Sequence, residues 1–336
     1  MKKARDLRIA GISPLSGVPG GQLLVRCQNF VPGLESKVLL GNVEAFIVSA
    51  SEDSVLIRLP ESQYSLGLTL RVGGETSPLF PFNLAVRLAA ELNPVMNPVM
   101  APDGSIITTI SGRRGEEVDL PLVRVTRQGD KIPYSCEIMN PTGIAFSPDG
   151  QLYISSRHEG TVLKYKNFEH LEVVAEDLGI PCGLVFDSKG NLYAGDRTGR
   201  IWKIDKGGRK EEFVALEPSI SAYHLAIDSD DRIYVTGPTF AARDCLYRIS
   251  ANRNVETLLR GLARPQGMAF LPEGDLLIAA GHKGKKGIFR YSPADGSFRF
   301  YIAAPILVGL AIADRTAYLA TGDALYSVPL PGSTVN

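Results

Sequence analysis

The chain has 336 residues, with 36 Lys+Arg against 36 Asp+Glu and 44% hydrophobic residues. A formal net charge of zero excludes a dedicated polyanion binder, which needs a surplus of Lys and Arg to neutralise phosphates. No run approaches the ~18 consecutive apolar residues of a membrane-crossing helix, and the length predicts about two globular domains.

Met1-Lys2-Lys3-Ala4-Arg5-Asp6-Leu7 is basic, but no apolar stretch of signal-peptide length follows it. The expected location is therefore cytoplasmic; had a leader been removed, the protein would be an exported one. Cys27, Cys136, Cys182 and Cys245 are scattered with no CxxC pair, so buried thiols in a reduced compartment are expected rather than a disulfide framework or a zinc ribbon. The 34 Gly and 22 Pro are spread in short turn-like clusters along the whole chain. Between them lie runs such as Leu152-Tyr153-Ile154-Ser155 and Leu246-Tyr247-Arg248-Ile249. This is strand chemistry bounded by turns, and helix-period segments are absent, so the fold class is all-β.

Residues 1–84 read as an independent β unit. It begins with Ile12-Ser13-Pro14 and Gly17 to Gly21, and continues through Leu24–Phe30, Val38–Asn42, Ser54–Pro60 and Leu68–Val72. About seven short strands with turn signals between them predict an immunoglobulin-like β-sandwich, without the Cys…Trp…Cys spacing of antibody domains. The Ile-Ser-Pro-x-x-Gly-x-x-Gly-Gly start and the later Asn29-Phe30 pair resemble the IPT/TIG family. That resemblance implies a spacer or docking module with no catalytic set.

Residues 85–336 carry a repeat. Pro141-Thr142-Gly143-Ile144-Ala145-Phe146-Ser147-Pro148-Asp149-Gly150 returns at Pro181–Gly190 and at Pro265–Gly274. Degenerate copies occur at 223–231 and 308–315, and an earlier one ends in Pro102-Asp103-Gly104. The turn positions 104, 150, 190, 231, 274 and 315 are 46, 40, 41, 43 and 41 residues apart. Six copies at this period predict a six-bladed β-propeller, each blade made of four strands. The sixth copy lacks a fourth strand, and segment 85–92 resembles the outer strands elsewhere, so it is expected to complete the last blade and leave no open sheet edge. The blades resemble NHL-repeat proteins and the gluconolactonase (senescence-marker-protein) family.

Propeller ligands sit at the channel mouth, among loops leading into the inner strands and loops joining the second and third strands. Aligned copies put Thr142, Cys182, Tyr223 and Gln266 in one ring there, and Asn97 and His224 in the next. The second-to-third strand loops add Arg157, His158, Asp196, Arg197, His282 and Asp323. The gluconolactonase resemblance implies one divalent cation, Ca²⁺ or Mg²⁺, held by a Glu, two Asn and an Asp, polarising a lactone carbonyl. Here the corresponding segments are Pro141-Thr142-Gly143 and Pro181-Cys182-Gly183, and the ring holds no carboxylate, so no metal and no cofactor is expected from it. A resemblance to peptidyl-hydroxyglycine lyases implies a three-His zinc site, and His158, His224 and His282 lie on one expected face. His158 and His282, however, sit in opposite blades, too far apart to share Zn–N bonds of about 2 Å. Asp196-Arg197 and Arg157-His158-Glu159 either orient a polar ligand or pair with each other at the surface. The longer loops, around Tyr134-Ser135-Cys136 and Thr236–Arg243, are further places for binding. The function expected is a non-catalytic propeller that binds a small polar ligand or a protein partner, with an immunoglobulin-like accessory module. A divergent lactone hydrolase is the alternative.

Overall fold

A computed structural model describes residues 6–33, 35–62, 67–113, 115–134, 138–241 and 243–330. All regular elements in it are β-strands, and no helix is long and apolar enough to cross a membrane.

The first module holds two four-stranded sheets. One orders Arg8–Ser13, Gln22–Gln28, Ser54–Arg58 and Phe46–Ala50; the other orders Val43–Glu44, Ser36–Leu40, Leu68–Val72 and Glu75–Thr76. Strict alternation drives this arrangement. In Gln22–Gln28 the residues Leu23, Val25 and Cys27 are buried and their neighbours are exposed, the period that a half-buried strand demands. Leu23, Val25, Val55 and Ile57 from one sheet share a core with Val38, Leu40, Leu68 and Leu70 from the other. Truncating one such Leu to Ala costs ~3 kcal/mol.

Six further four-stranded antiparallel arrays follow, with inner strands Val99–Met100, Pro141–Phe146, Pro181–Phe186, His224–Ile227, Met268–Phe270 and Gly309–Ala313. No single array can bury both faces, so each packs on the next. Ala145 joins the core beneath blade three, Ala226 the core beneath blade five and Ala311 the core shared with blade one. The small inner residues are thus the ones wedged between blades. The inner strand of each blade turns into the second through the repeated tight turn. In blade two Gly150 N–H donates to Ser147 O and Ser147 N–H donates to Gln151 O, both at 2.8 Å. Gly150 sits at φ 79°, a conformation that costs glycine nothing.

The ring is closed by the chain segment that precedes the first blade. Val86–Ala90 pairs antiparallel with Ala324–Pro329, from Val86 opposite Ser327 to Ala90 opposite Ala324. Leu92 N–H donates to Asp323 O, and Ala89 and Leu92 enter the core with Tyr318 and Leu325.

The first module is joined to blade five by backbone. Ser16–Gly17 runs parallel to the outer strand Phe298–Ala303, and Asn83–Leu84 runs parallel to Ser16–Gly17, making a six-stranded sheet. Val18 N–H donates to Ala303 O and Ala85 N–H to Gly17 O, both at 2.7 Å. A Cβ on Gly21 would meet the Ala304 backbone at 2.8 Å, which explains why glycine stands where the two units touch. Tyr326 O–H donates to Glu61 (2.7 Å) across the same junction, and Arg87 stands 3.9 Å from Glu61.

Candidate functional site

The channel mouth is built from the start of each inner strand, and there the strands converge until little space remains. A Cβ on Gly143 would lie 1.9 Å from Cys182 O, and one on Gly267 would lie 1.9 Å from Asn97 Oδ1. Asn97 fills the axis: its Nδ2 donates to Met268 O (3.0 Å) and its Oδ1 accepts from Leu310 N–H (3.1 Å). The space left beside it is about 20 Å³. The wider part of the channel, about 440 Å³, opens on the opposite face among Met100, Phe146, Phe186, Ile227, Phe270 and Ile312.

The side chains of the mouth ring turn sideways and form a belt from blade to blade. Thr109 Oγ1 donates to Thr142 O (2.8 Å), and Thr142 Oγ1 lies 3.0 Å from Pro181 O and 2.8 Å from Ser155 Oγ. Ser155 Oγ reaches Cys182 O (2.8 Å), and Gly183 N–H donates to Tyr223 O (3.0 Å). His224 Nε2 meets Gln266 Oε1 at 3.0 Å, and Asn97 completes the circuit. Buried polar groups need such partners, and a blade interface supplies them. Thr142, Cys182, Tyr223, His224 and Asp196 are all buried. Burial pushes the Cys182 thiol up to about 12, so it is not a nucleophile at neutral pH. Burial likewise raises the Tyr223 phenol, whose hydroxyl donates to Glu217 O. His224 is driven down to about 4 by desolvation, opposed by its bond to Gln266.

The loop residues lie apart. Asp196 turns inward and accepts from Ile180 N–H (2.8 Å) and from Thr198 N–H and Oγ1, while Arg197 is exposed. Arg157 donates to Gly112 O at 2.5 Å, and His158 is exposed beside Gly115. His282 bonds Gly261 O through Nδ1 (3.1 Å) and packs edge-on to Phe298 and Phe289. Asp196 forms no ion pair with Arg197 among the described residues; its carboxylate caps the backbone of its own loop, while Arg157 reaches across to the Gly112 carbonyl. Among the described residues no three His, Cys, Asp or Glu come together as a metal-holding group. Cys27 and Cys245 are free and buried like Cys182; Ser135, Cys136 and Ala242 lie outside the described residues. Phe240, on the blade-four loop, is 85% exposed.

The large concavity lies elsewhere, where the first module meets blades five and six. It measures about 840 Å³, within the range of small-molecule sites. One wall is the outer face of a sandwich sheet, with Gln22, Leu24, Leu56 and Arg58. The other comprises Lys285 and Lys286 after the blade-five hairpin, Phe300, the Pro305-Ile306 loop, and Thr321 to Asp323 with Tyr326 from blade six. Of the residues expected at the mouth, only Asp323 lines it. Leu24 and Leu56 belong to runs read only as strands, and local sequence carries no signal that a second unit faces them.

No protein-family description matches the chain, and no curated protein matches it by sequence. Solved structures do match in fold. A proposed gluconolactonase is 16% identical, covering 74% of this chain and 92% of its own, with a TM-score of 0.60. An auxiliary nutrient binding protein from Bacteroides ovatus is 13% identical over 96% of this chain and 97% of its own, TM-score 0.55. Virginiamycin B lyase from Staphylococcus aureus is 16% identical over 88% of this chain and 100% of its own, TM-score 0.53. The protein is thus an all-β chain of the propeller class, and identities this low define its fold alone.

Proposed function

We propose that this protein is a non-catalytic binding protein whose ligand sits in the groove between its first module and propeller blades five and six. One observation carries the reading: the mouth of the channel is filled by Asn97 and crossing backbone, while an ~840 Å³ groove stands open at the junction. The groove is lined from rigid strands on both sides, and the shared sheet through Ser16–Gly17 holds those sides in fixed relation, so a site there is preorganised. We read residues 1–84 as an immunoglobulin-like module of the IPT/TIG kind and residues 85–336 as the propeller unit. Two facing sheets with one core support the first assignment. The similarity in fold to an auxiliary nutrient binding protein agrees with a binding role. The reading requires no cofactor.

The test is a thermal-shift screen of polar small molecules on wild type and on Ile306→Trp, which places a larger side chain on the exposed groove wall. A ligand at a hundred times its Kd stabilises wild type by about 2.7 kcal/mol, and the variant should show no shift. An equal shift in both proteins removes the groove as the binding site.

A further inference from the structure

We propose that the groove recognises an anionic ring compound bearing hydroxyl groups, an acidic saccharide or an aryl conjugate of one; this deepens the binding role proposed above and rests on it. Three cations line the groove and one carboxylate does. Arg58 stands at the end of the strand Ser54–Arg58, opposite Gln22 on one side and Phe46 on the other. Its guanidinium lies over the Phe46 ring, 5.5 Å from the centroid. From the facing wall come Lys285 and Lys286, at the start of a strand fixed by the two-residue turn Lys283-Gly284. Lys285 Nζ is 5.5 Å from the Phe300 centroid. None of the three forms an ion pair among the described residues. Cations left without carboxylates on two walls of one groove favour a negative group between them.

The rest of the lining fixes the body of the ligand. Leu24 and Ile306 are exposed by 43% and 51%, and with Phe300 they form apolar surface that a ring face would cover. Gain from such cover is about 25 cal/mol per Å² of apolar surface removed from water. Asp323, already accepting from Thr321 Oγ1 at 2.9 Å, has a second oxygen free to accept from a ligand hydroxyl. A fatty acid would leave Asp323 and Gln22 facing hydrocarbon without partners, a cost that a hydroxylated ring avoids.

Calorimetry with three probes tests this: 4-methylumbelliferyl glucuronide, the matching neutral glucoside, and 7-hydroxycoumarin-4-acetic acid, which has the aryl acid without the sugar. The glucuronide should bind at least tenfold more tightly than the glucoside, and added salt should shrink that ratio. Arg58→Ala with Lys286→Ala, both exposed and removable without disturbing the core, should abolish the preference while the melting temperature stays put. Weaker binding of the coumarin acid assigns the sugar hydroxyls to the recognised unit; equal binding overturns the saccharide. Equal affinity for glucuronide and glucoside, both lost in Ile306→Trp, overturns the anion preference and leaves the groove as the site. Binding of no probe, or binding indifferent to Ile306→Trp, overturns the site itself.

Discussion

His224 offers a quantitative check on the belt that holds the blades together. It is fully buried, its Nε2 faces Gln266 Oε1 at 3.0 Å, and its Nδ1 has no partner among the described residues. In this setting the neutral ring donates through Nε2, and a second proton would sit on Nδ1 with nothing to receive it. Burial of the ring away from water, only partly offset by its bond to Gln266, is what holds the imidazole near 4 rather than its ordinary 6.5. The sign follows from linkage: the folded pKa is depressed, so the unfolded chain binds the proton first and stability falls as pH drops from about 6.5 toward 4. The full effect is about 3 kcal/mol, of which about 2 kcal/mol is lost by pH 5. Urea unfolding of wild type and His224→Leu at pH 7 and pH 5 isolates the contribution, since other titrating groups cancel in the comparison. The variant should be less stable at pH 7, because Gln266 loses its partner, but should lose about 2 kcal/mol less than wild type on going to pH 5. An identical pH dependence in the two proteins, or a His224 ring signal titrating near 6.5 by NMR, would show that the ring is hydrated and the belt misread.

Four further outcomes are expected. Asn97→Ala removes two axial hydrogen bonds and should destabilise the fold by ~2–3 kcal/mol, readable as a lower urea midpoint; an unchanged midpoint would mean the axis is held by backbone alone. Breaking the pairing of Val86–Ala90 by Ala89→Pro, at a residue opposite Leu325, should open the last blade and lower the melting temperature by several degrees, whereas an unaltered melt would show that the strand is dispensable. Cys27, Cys182 and Cys245 are buried, and burial, with the nearby Asp53 carboxylate for Cys27, holds Cys27 near 11. They should react with a thiol reagent only as fast as the protein unfolds, and rapid labelling of any one would refute its burial. Metal content and melting with Ca²⁺, Mg²⁺, Mn²⁺ or Zn²⁺ then separate the binding role from the lactonase alternative: a stoichiometric ion that raises the melting temperature points to the latter.

Much of the architecture could be read along the chain because it is written in local chemistry. Short runs of Val, Ile, Leu and Tyr between turn clusters marked the strands, and the recurring turn, Pro148-Asp149-Gly150 in blade two, marked the end of an inner strand, since only a few residue types make that turn cheaply. The repeat spacing then gave six blades. The site was far less legible. Asn97, Thr142 and Gln266 look the same in sequence whether a polar side chain faces a ligand or a neighbouring blade, and the distance to the next inner strand decides between them. Gly143 hinted at that crowding, because a glycine inside a strand permits close backbone approach. The groove left no comparable mark: Arg58 is 227 residues from Lys285, and Leu24 is 261.

By itself, then, the sequence determined the strands, the turns and the number of blades, all consequences of interactions a few residues long. Only the tertiary structure decided that the channel mouth closes on its own hydrogen bonds and that a charged groove opens beside it. Both depend on how rigid units pack, and packing brings together residues whose separation along the chain carries no information about their contact.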